Sequence, residues 1–505
     1  MVNCAEPISH DTKTSSHKMS SLKQKTIKGV VWSSVQRFGT MAITFVSNII
    51  LARLLSPDDY GCIAMLMIFI SLANTFIDGG FGSALIQKKE PTNEDYSTIL
   101  YWNIALSLVL YGLLFLCAPL VAQFYNMPLL TKVLRIQGVV LFFNALSIIQ
   151  QNQLKKQLQF KKLSIVYITS ASLSLVIAIV AAYHGWGVWS LVAQQISISV
   201  LHAILFWIVS KWRPIRAFSW KSFKELFKFG GFMLLSHLFS TLSNEIQGLL
   251  VGKMFNPATL GLYNQAYRLE GSAATATSSI IDQVTYPVLA SVQDNKKAFI
   301  GALKRFIQIP AYVCSLVMMV LIVIAKPLII LLYSAKWVDC VPYFQILCTA
   351  GLAVCLQGSA NNSIAAIGKS NVFFIWTIIK RSLTIVLCIV GIFAAGMDGL
   401  LWSCVAGAWS VYFINAFLVH KHIGYSFFHQ MLDILPSILM TVAIGVSAYY
   451  LGTLFDINMY VKALFQAAFC TISYFSISWI LHLDAFNYLL DATVKRLRLK
   501  KRNES

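Results

Sequence analysis

Apolar runs long enough to cross a bilayer follow one another along almost the whole chain, and this alternation constrains the fold more than any other feature. A hydrocarbon core of about 30 Å takes roughly 20 apolar residues of helix, and helices are the only spans of that length that satisfy their own backbone groups. Fourteen runs meet the requirement, the first at 29–53 and the last at 459–482. Composition agrees: 57% of the 505 residues are hydrophobic and 12% charged, where soluble domains carry about 25% charged residues. The sequence therefore predicts an all-α, polytopic membrane protein of about 14 transmembrane helices.

The formal net charge of +20 would point to nucleic acid only if the basic residues shared one contiguous face. They fall instead in alternate loops. Counting Lys and Arg between the runs gives 29 on the side of both termini and 5 on the other. The positive-inside bias then puts both termini in the cytosol. The first 28 residues carry five lysines and lack the apolar core of a cleavable signal. Met19 with its basic lead-in is the expected start of translation, leaving residues 1–18 dispensable. Ten cysteines occur with no CxxC pair, so neither a metal site nor a disulfide framework is expected. No outer loop exceeds about ten residues, too short for an extracytoplasmic catalytic module.

At an offset of 200 residues, NIILARLLSPDDYGCI (Asn48 to Ile63) aligns without gaps on GLLVGKMFNPATLGLY (Gly248 to Tyr263). Pro57 meets Pro257, Gly61 meets Gly261 and Arg53 meets Lys253. Each copy is the outer turn between the first two helices of a six-helix unit. Six is even, so the copies insert in the same sense as parallel repeats. The expected domains are a cytosolic tail (1–28), an N-lobe of helices 1–6 (29–210), an amphipathic cytosolic linker (211–228), a C-lobe of helices 7–12 (229–421), two additional helices (432–482) and a basic cytosolic tail (483–505). In the linker, Phe218 to Lys228 puts aromatics on one helical face and lysines on the other, the pattern of a helix lying on the inner leaflet.

Equivalent helices of both halves carry polar stripes. The first has Ser33, Arg37, Thr40, Thr44 and Ser47 at steps of four and three; the second has Ser71, Asn74, Asp78 and Gly82. The seventh has Ser236, Ser240, Ser243 and Gln247, with Glu245 nearby; the eighth has Asn264, Arg268, Ser272, Thr275, Ser279 and Asp282. Small polar residues alone would be explained by close helix packing. Charge argues further, because an Arg or Asp facing lipid at mid-membrane costs at least about 2.5–3.5 kcal/mol. Arg37, Asp78, Glu245, Arg268 and Asp282 are better served by a water-filled cavity at the interface of the halves. Arg37 and Arg268 offer rigid forks of donors for a phosphate. Asp78, Glu245 and Asp282 serve either as sites for a coupling H+ or Na+ or as counter-charges to the arginines. Lys380 and Arg381 in the eleventh helix, and Lys132 and Arg135 near the outer end of the fourth, are further candidates, with snorkelling as the alternative.

Two motifs are set aside. Ser363 to Ser370 ends like a phosphate-binding loop, but its first position is not glycine and no strand precedes it. His420 and His422 do not share a helical face and have no partner ligand in sequence. No ATPase motif is present, so transport would draw on an ion gradient or on the substrate's own gradient, with no cofactor.

The segments LARLLSPDDYGCIAM (Leu51 to Met65), DGGFGSALIQKKE (Asp78 to Glu90), LGLYNQAYRLEG (Leu260 to Gly271) and VTYPVLASVQDNKKAF (Val284 to Phe299) resemble the polysaccharide transporter branch of the multidrug/oligosaccharidyl-lipid/polysaccharide exporter superfamily, the O-antigen and capsule repeat-unit flippases. The resemblance implies a two-lobed bundle around a cationic cavity, alternating access, and an undecaprenyl-pyrophosphate-linked oligosaccharide carried from the cytosolic to the outer leaflet. It implies a bacterial inner-membrane location, no enzymatic activity, and glycan, membrane lipids and other polysaccharide assembly proteins as partners. Arg37 and Arg268 match basic cavity positions of related flippases, whereas Gln265 stands where relatives often carry a basic residue. Helices 13 and 14 would help to shelter the lipid tail. Competing readings are an ion-coupled multidrug or small-metabolite antiporter of the same superfamily and a membrane scaffold without transport. A membrane polymerase or glycosyltransferase would need a catalytic outer loop that the sequence lacks.

Overall fold

The computed structural model describes residues 11–367, 370–454 and 458–491; the side chains of 11–27, 280, 282–283 and 370–374 also lie outside the described set. The chain divides into two compact units, residues 1–253 and 254–505. The first unit is built from α1 (Asp11–Leu54), α2 (Pro57–Asp78), α3 (Phe81–Gln87), α4 (Asn93–Phe124), α5 (Leu129–Gln137), α6 (Val140–Lys156), α7 (Phe160–Tyr183), α8 (Val188–Val209) and α9 (Trp220–Met254). The second is built from α10 (Pro257–Ser291), α11 (Lys296–Val323), α12 (Ala325–Tyr333), α13 (Cys340–Ala366), α14 (Ser370–Ile423), α15 (Phe427–Leu454) and α16 (Met459–Ile480).

Among the described residues, eleven stretches of helix are long and apolar enough to cross a membrane. Three further helical stretches are compatible with the expected fourteen. The 35-residue helices α9 and α10 have ample length but carry the polar stripes that lower their hydropathy. α14 holds two crossings, because its backbone leaves helical geometry at Ala395 (φ −144°) and Gly396 (φ +61°). The left-handed value at Gly396 is one that a residue without Cβ adopts at little cost. The protein is thus a multi-pass, all-α membrane protein.

The repeat is visible in local chemistry. In the first unit Ser56 caps α2: its hydroxyl accepts from the Asp59 N–H (3.3 Å) while the Asp59 carboxylate accepts from the Ser56 N–H (2.9 Å), with Pro57 at the first helical position. In the second, Asn256 caps α10 by accepting from the Thr259 N–H (2.7 Å), with Pro257 at the same position. Both prolines sit where their missing N–H has no partner to lose. Thr92 caps α4 and Asn295 caps α11 in the same way. Each of these helices is followed by a nine-residue helix, α5 and α12.

Two sequence expectations change. Residues 218–228 do not form a separate helix on the membrane surface. A coil runs through residues 210–219, and Trp220 begins α9, which continues unbroken to Met254. Part of the aromatic face expected on lipid packs on protein: the Phe223 ring lies 5.7 Å from Phe81, and Leu226 is buried with Phe81, Leu85, Tyr96 and Trp212, while Phe218, Trp220 and Phe227 stay exposed. Gly80 (φ +69°) lets the α3 start approach α9 so closely that a Cβ there would stand 2.3 Å from the Gly230 carbonyl oxygen. The compact units divide near 253, with α9 in the first unit. The alignment recorded repeat ancestry; packing follows these aromatic and backbone contacts.

Candidate functional site

In the first unit the polar stripe of α2 is largely paired within the unit. Ser71 donates to the Glu245 carboxylate of α9 (3.3 Å), and Thr75 and Thr241 share a hydrogen bond (3.0 Å). Asn74 accepts from the Asn144 amide of α6 (2.9 Å). Glu245, expected to bind an ion or balance charge, is therefore drawn onto α2. Asp78 is half-buried, with Lys155 of α6 and His237 of α9 as its nearby charges.

Arg37 is exposed on α1, with no ion pair among the described residues. α1 packs along α7, where Gly29 and Gly39 sit against Phe160 and Ile168, and Ser164 donates to the Trp32 carbonyl (2.7 Å). That packing leaves Arg37, Thr44 and their neighbours open. Of the secondary candidates, Lys132 is exposed, whereas Arg135 stacks on Phe115 (4.3 Å) and donates to its carbonyl (3.2 Å). Arg135 is thereby committed to structure.

Just after α3, Lys88 binds Asp95 (3.0 Å) and Glu225 (3.3 Å), tying the start of α4 to the second turn of α9. Burial disfavours its charge, but the hydrogen bonds and attraction of the two carboxylates outweigh this and hold Lys88 above its ordinary pKa.

In the second unit α10 presents two faces. Arg268 and Thr275 are exposed and Asn264 and Ser272 half-buried, so the stripe read from sequence remains open. The opposite face is packed: Tyr263, Ala266, Glu270 and Ala274 are buried at steps of three and four. Glu270 was not among the sequence candidates. It is 6% exposed against α13, where a Cβ on Gly351 would stand 2.3 Å from its Oε1, and that oxygen has no hydrogen-bond partner among the described residues. Gln265 is fully buried with neither amide atom paired. The period of the apolar face was the signal that singles out Glu270. The side chain of Asp282 lies outside the described residues.

Lys380 and Arg381, paired as candidates, part company. Lys380 is 7% exposed and donates to the Asn415 and Asn361 side-chain oxygens at 2.8 and 3.2 Å. Its ammonium joins the two halves of α14 to α13. Arg381 is exposed. Of the candidate cations on the polar helices, Arg37, Arg268 and Arg381 are exposed, and Lys380 is an internal tether. Among the described residues no group of three or more His, Cys, Asp or Glu side chains is placed to hold a metal ion.

A family model described as "Polysaccharide biosynthesis protein" matches residues 50–342. The teichuronic acid biosynthesis protein TuaB of Bacillus subtilis is 26% identical over 440 residues, covering 85% of this chain and 90% of that protein. The lipopolysaccharide biosynthesis protein WzxC of Escherichia coli is 24% identical, covering 84% of this chain and 89% of that protein. Among solved structures, the lipid II flippase MurJ in an inward closed conformation shares the fold with a TM-score of 0.73 at 17% identity, over 90% of this chain and 99% of that one.

Proposed function

The chain belongs to the polysaccharide biosynthesis protein family, and on that premise we propose that it flips a lipid-linked oligosaccharide across a bacterial inner membrane. The cargo in this reading is an undecaprenyl-pyrophosphate-linked glycan, carried from the cytosolic to the outer leaflet by alternating access, with both termini cytosolic. The observation that carries the proposal is an exposed arginine on a polar stripe in each unit, Arg37 on α1 and Arg268 on α10. Such a placement is costly against hydrocarbon and useful against a pyrophosphate. The relatives support it: two are named for the biosynthesis of cell-surface polymers, and the structural neighbour is named a lipid II flippase.

The protein acts here as a carrier, not a catalyst. Arg381, exposed on α14, is a further member of the proposed cargo-binding set, and Lys380 supports the helix that bears it. Asp78, Glu245 and Glu270 are the acidic groups from which a coupling H+ or Na+ site would be drawn. The test is flipping of a polyprenyl-pyrophosphate-linked oligosaccharide in liposomes holding purified protein. Arg37→Ala and Arg268→Ala should each reduce the rate at least tenfold. Undiminished flipping in both would remove the arginines from the mechanism; absence of flipping by the wild-type protein would remove the cargo.

A further inference from the structure

We propose that the second unit holds a resident anionic phospholipid, with its headgroup phosphate on Lys326 and Lys462 and one acyl chain in the groove below them. A cavity of about 860 Å³ opens among α11, α12, α13, α15 and α16. That is within the roughly 300–1,000 Å³ of sites that bury small organic ligands. Glycine shapes it at two points. Gly445 of α15 leaves room facing Met319, where a Cβ would only reach ordinary contact at 3.4 Å. Gly452, about two turns further along α15, lets α16 lie so close that a Cβ would meet the Gln466 amide at 2.1 Å and the Lys462 Cε at 3.0 Å. The aliphatic stem of Lys462 thus lies across α15 and carries its ammonium to the cavity.

The glutamines and threonines of the lining are spoken for. Gln345 donates to the Ile322 carbonyl (3.0 Å) and Gln466 to the Ala448 carbonyl (2.9 Å). Thr441 and Thr453 bond back to their own helix at 2.7 Å. Among the described residues no lining residue is acidic, and neither Lys326 nor Lys462 has an ion pair. Two cations at a cavity of otherwise aliphatic and aromatic wall match an amphiphile with one anionic head and one apolar chain. A polyprenyl tail, several times longer than an acyl chain, would overrun the space. On the topology proposed above, both lysines lie at the outer face, so the lipid would come from the outer leaflet.

The test is native mass spectrometry of the purified full-length protein with phosphatidylglycerol and phosphatidylcholine as probes, with thermal unfolding to confirm that each variant folds. One phosphatidylglycerol should be retained at least tenfold more strongly than phosphatidylcholine. Lys326→Gln with Lys462→Gln should abolish that preference, and Gly445→Leu, which fills the groove, should weaken both lipids. Equal retention by the double variant, wild-type indifference to headgroup, displacement by inorganic phosphate, or stronger retention of undecaprenyl phosphate than of phosphatidylglycerol would each overturn the proposal. The last would return the groove to the cargo tail. Because the readout is lipid retention and not transport, failure here leaves the flippase reading standing.

Discussion

Replacing Lys380 by methionine separates two roles that sequence alone could not distinguish. If Lys380 binds cargo, its loss should impair flipping and leave the fold intact; if it is a tether, stability falls first. The structure gives it two hydrogen bonds, at 2.8 Å to Asn415 and 3.2 Å to Asn361, in a site where the lysine is 7% and Asn415 0% exposed. A hydrogen bond to a charged group contributes about 1.5–3 kcal/mol, and a buried acceptor left bare costs about 1–3 kcal/mol. Methionine keeps most of the volume and relieves the burial of a charge, which offsets part of the loss. The expected net cost is about 2–5 kcal/mol. At roughly 2–4 °C per kcal/mol for a cooperative unit of this size, the unfolding midpoint in detergent should drop by about 5–15 °C. Lys380→Met with Asn415→Leu should be less destabilised than the sum of the single changes, because the second substitution removes an orphaned acceptor. A Lys380→Met protein with an unchanged midpoint and abolished flipping would refute the tether and restore Lys380 to the cargo site.

Three further outcomes follow from the geometry. Gly391→Ala places a Cβ 2.4 Å from the Gly399 carbonyl oxygen and should cost about 1–3 kcal/mol, whereas Gly112→Ala meets nothing within 4 Å and should stabilise by about 0.5–1 kcal/mol; the thermal midpoints should move in opposite directions. Ser56→Ala and Asn256→Ala should each cost about 0.5–2 kcal/mol, since both remove the cap of a repeat-equivalent helix; a large asymmetry in chemical denaturation would count against their equivalence. Lys88→Met should loosen the start of α9 by leaving Asp95 and Glu225 unpaired, read as faster hydrogen exchange over residues 220–230.

Much of the fold was legible because membrane insertion leaves few options. The alternation of apolar runs and basic loops gave the multi-pass, all-helical architecture, and the break of α14 at Ala395 and Gly396 falls between two of the expected runs. Pro57 and Pro257 marked equivalent helix starts because proline at that position is a local rule, independent of tertiary context. The fate of residues 218–228 was not legible. An aromatic face on a basic helix reads the same whether it covers lipid or the ring of Phe81, and only the approach of Gly80 to Gly230 decides.

The same ambiguity governs the candidate site, and α10 shows where it enters. A polar stripe picks out residues able to face water, so Arg268 and Thr275 were found and are indeed exposed. It cannot find a polar group that interrupts the apolar face, and Glu270 is such a group, set between Ala266 and Ala274 against Gly351. Lys380 fails in the opposite sense: next to Arg381 it looks like half of an anion clamp, yet Asn361 and Asn415 come from positions 19 and 35 residues away and claim its ammonium. Spacing along one helix reports which face a charge is on. Whether that face is wet or tied down depends on the neighbouring helix, and there the open arginines of α1 and α10 separate from the sequestered lysine of α14.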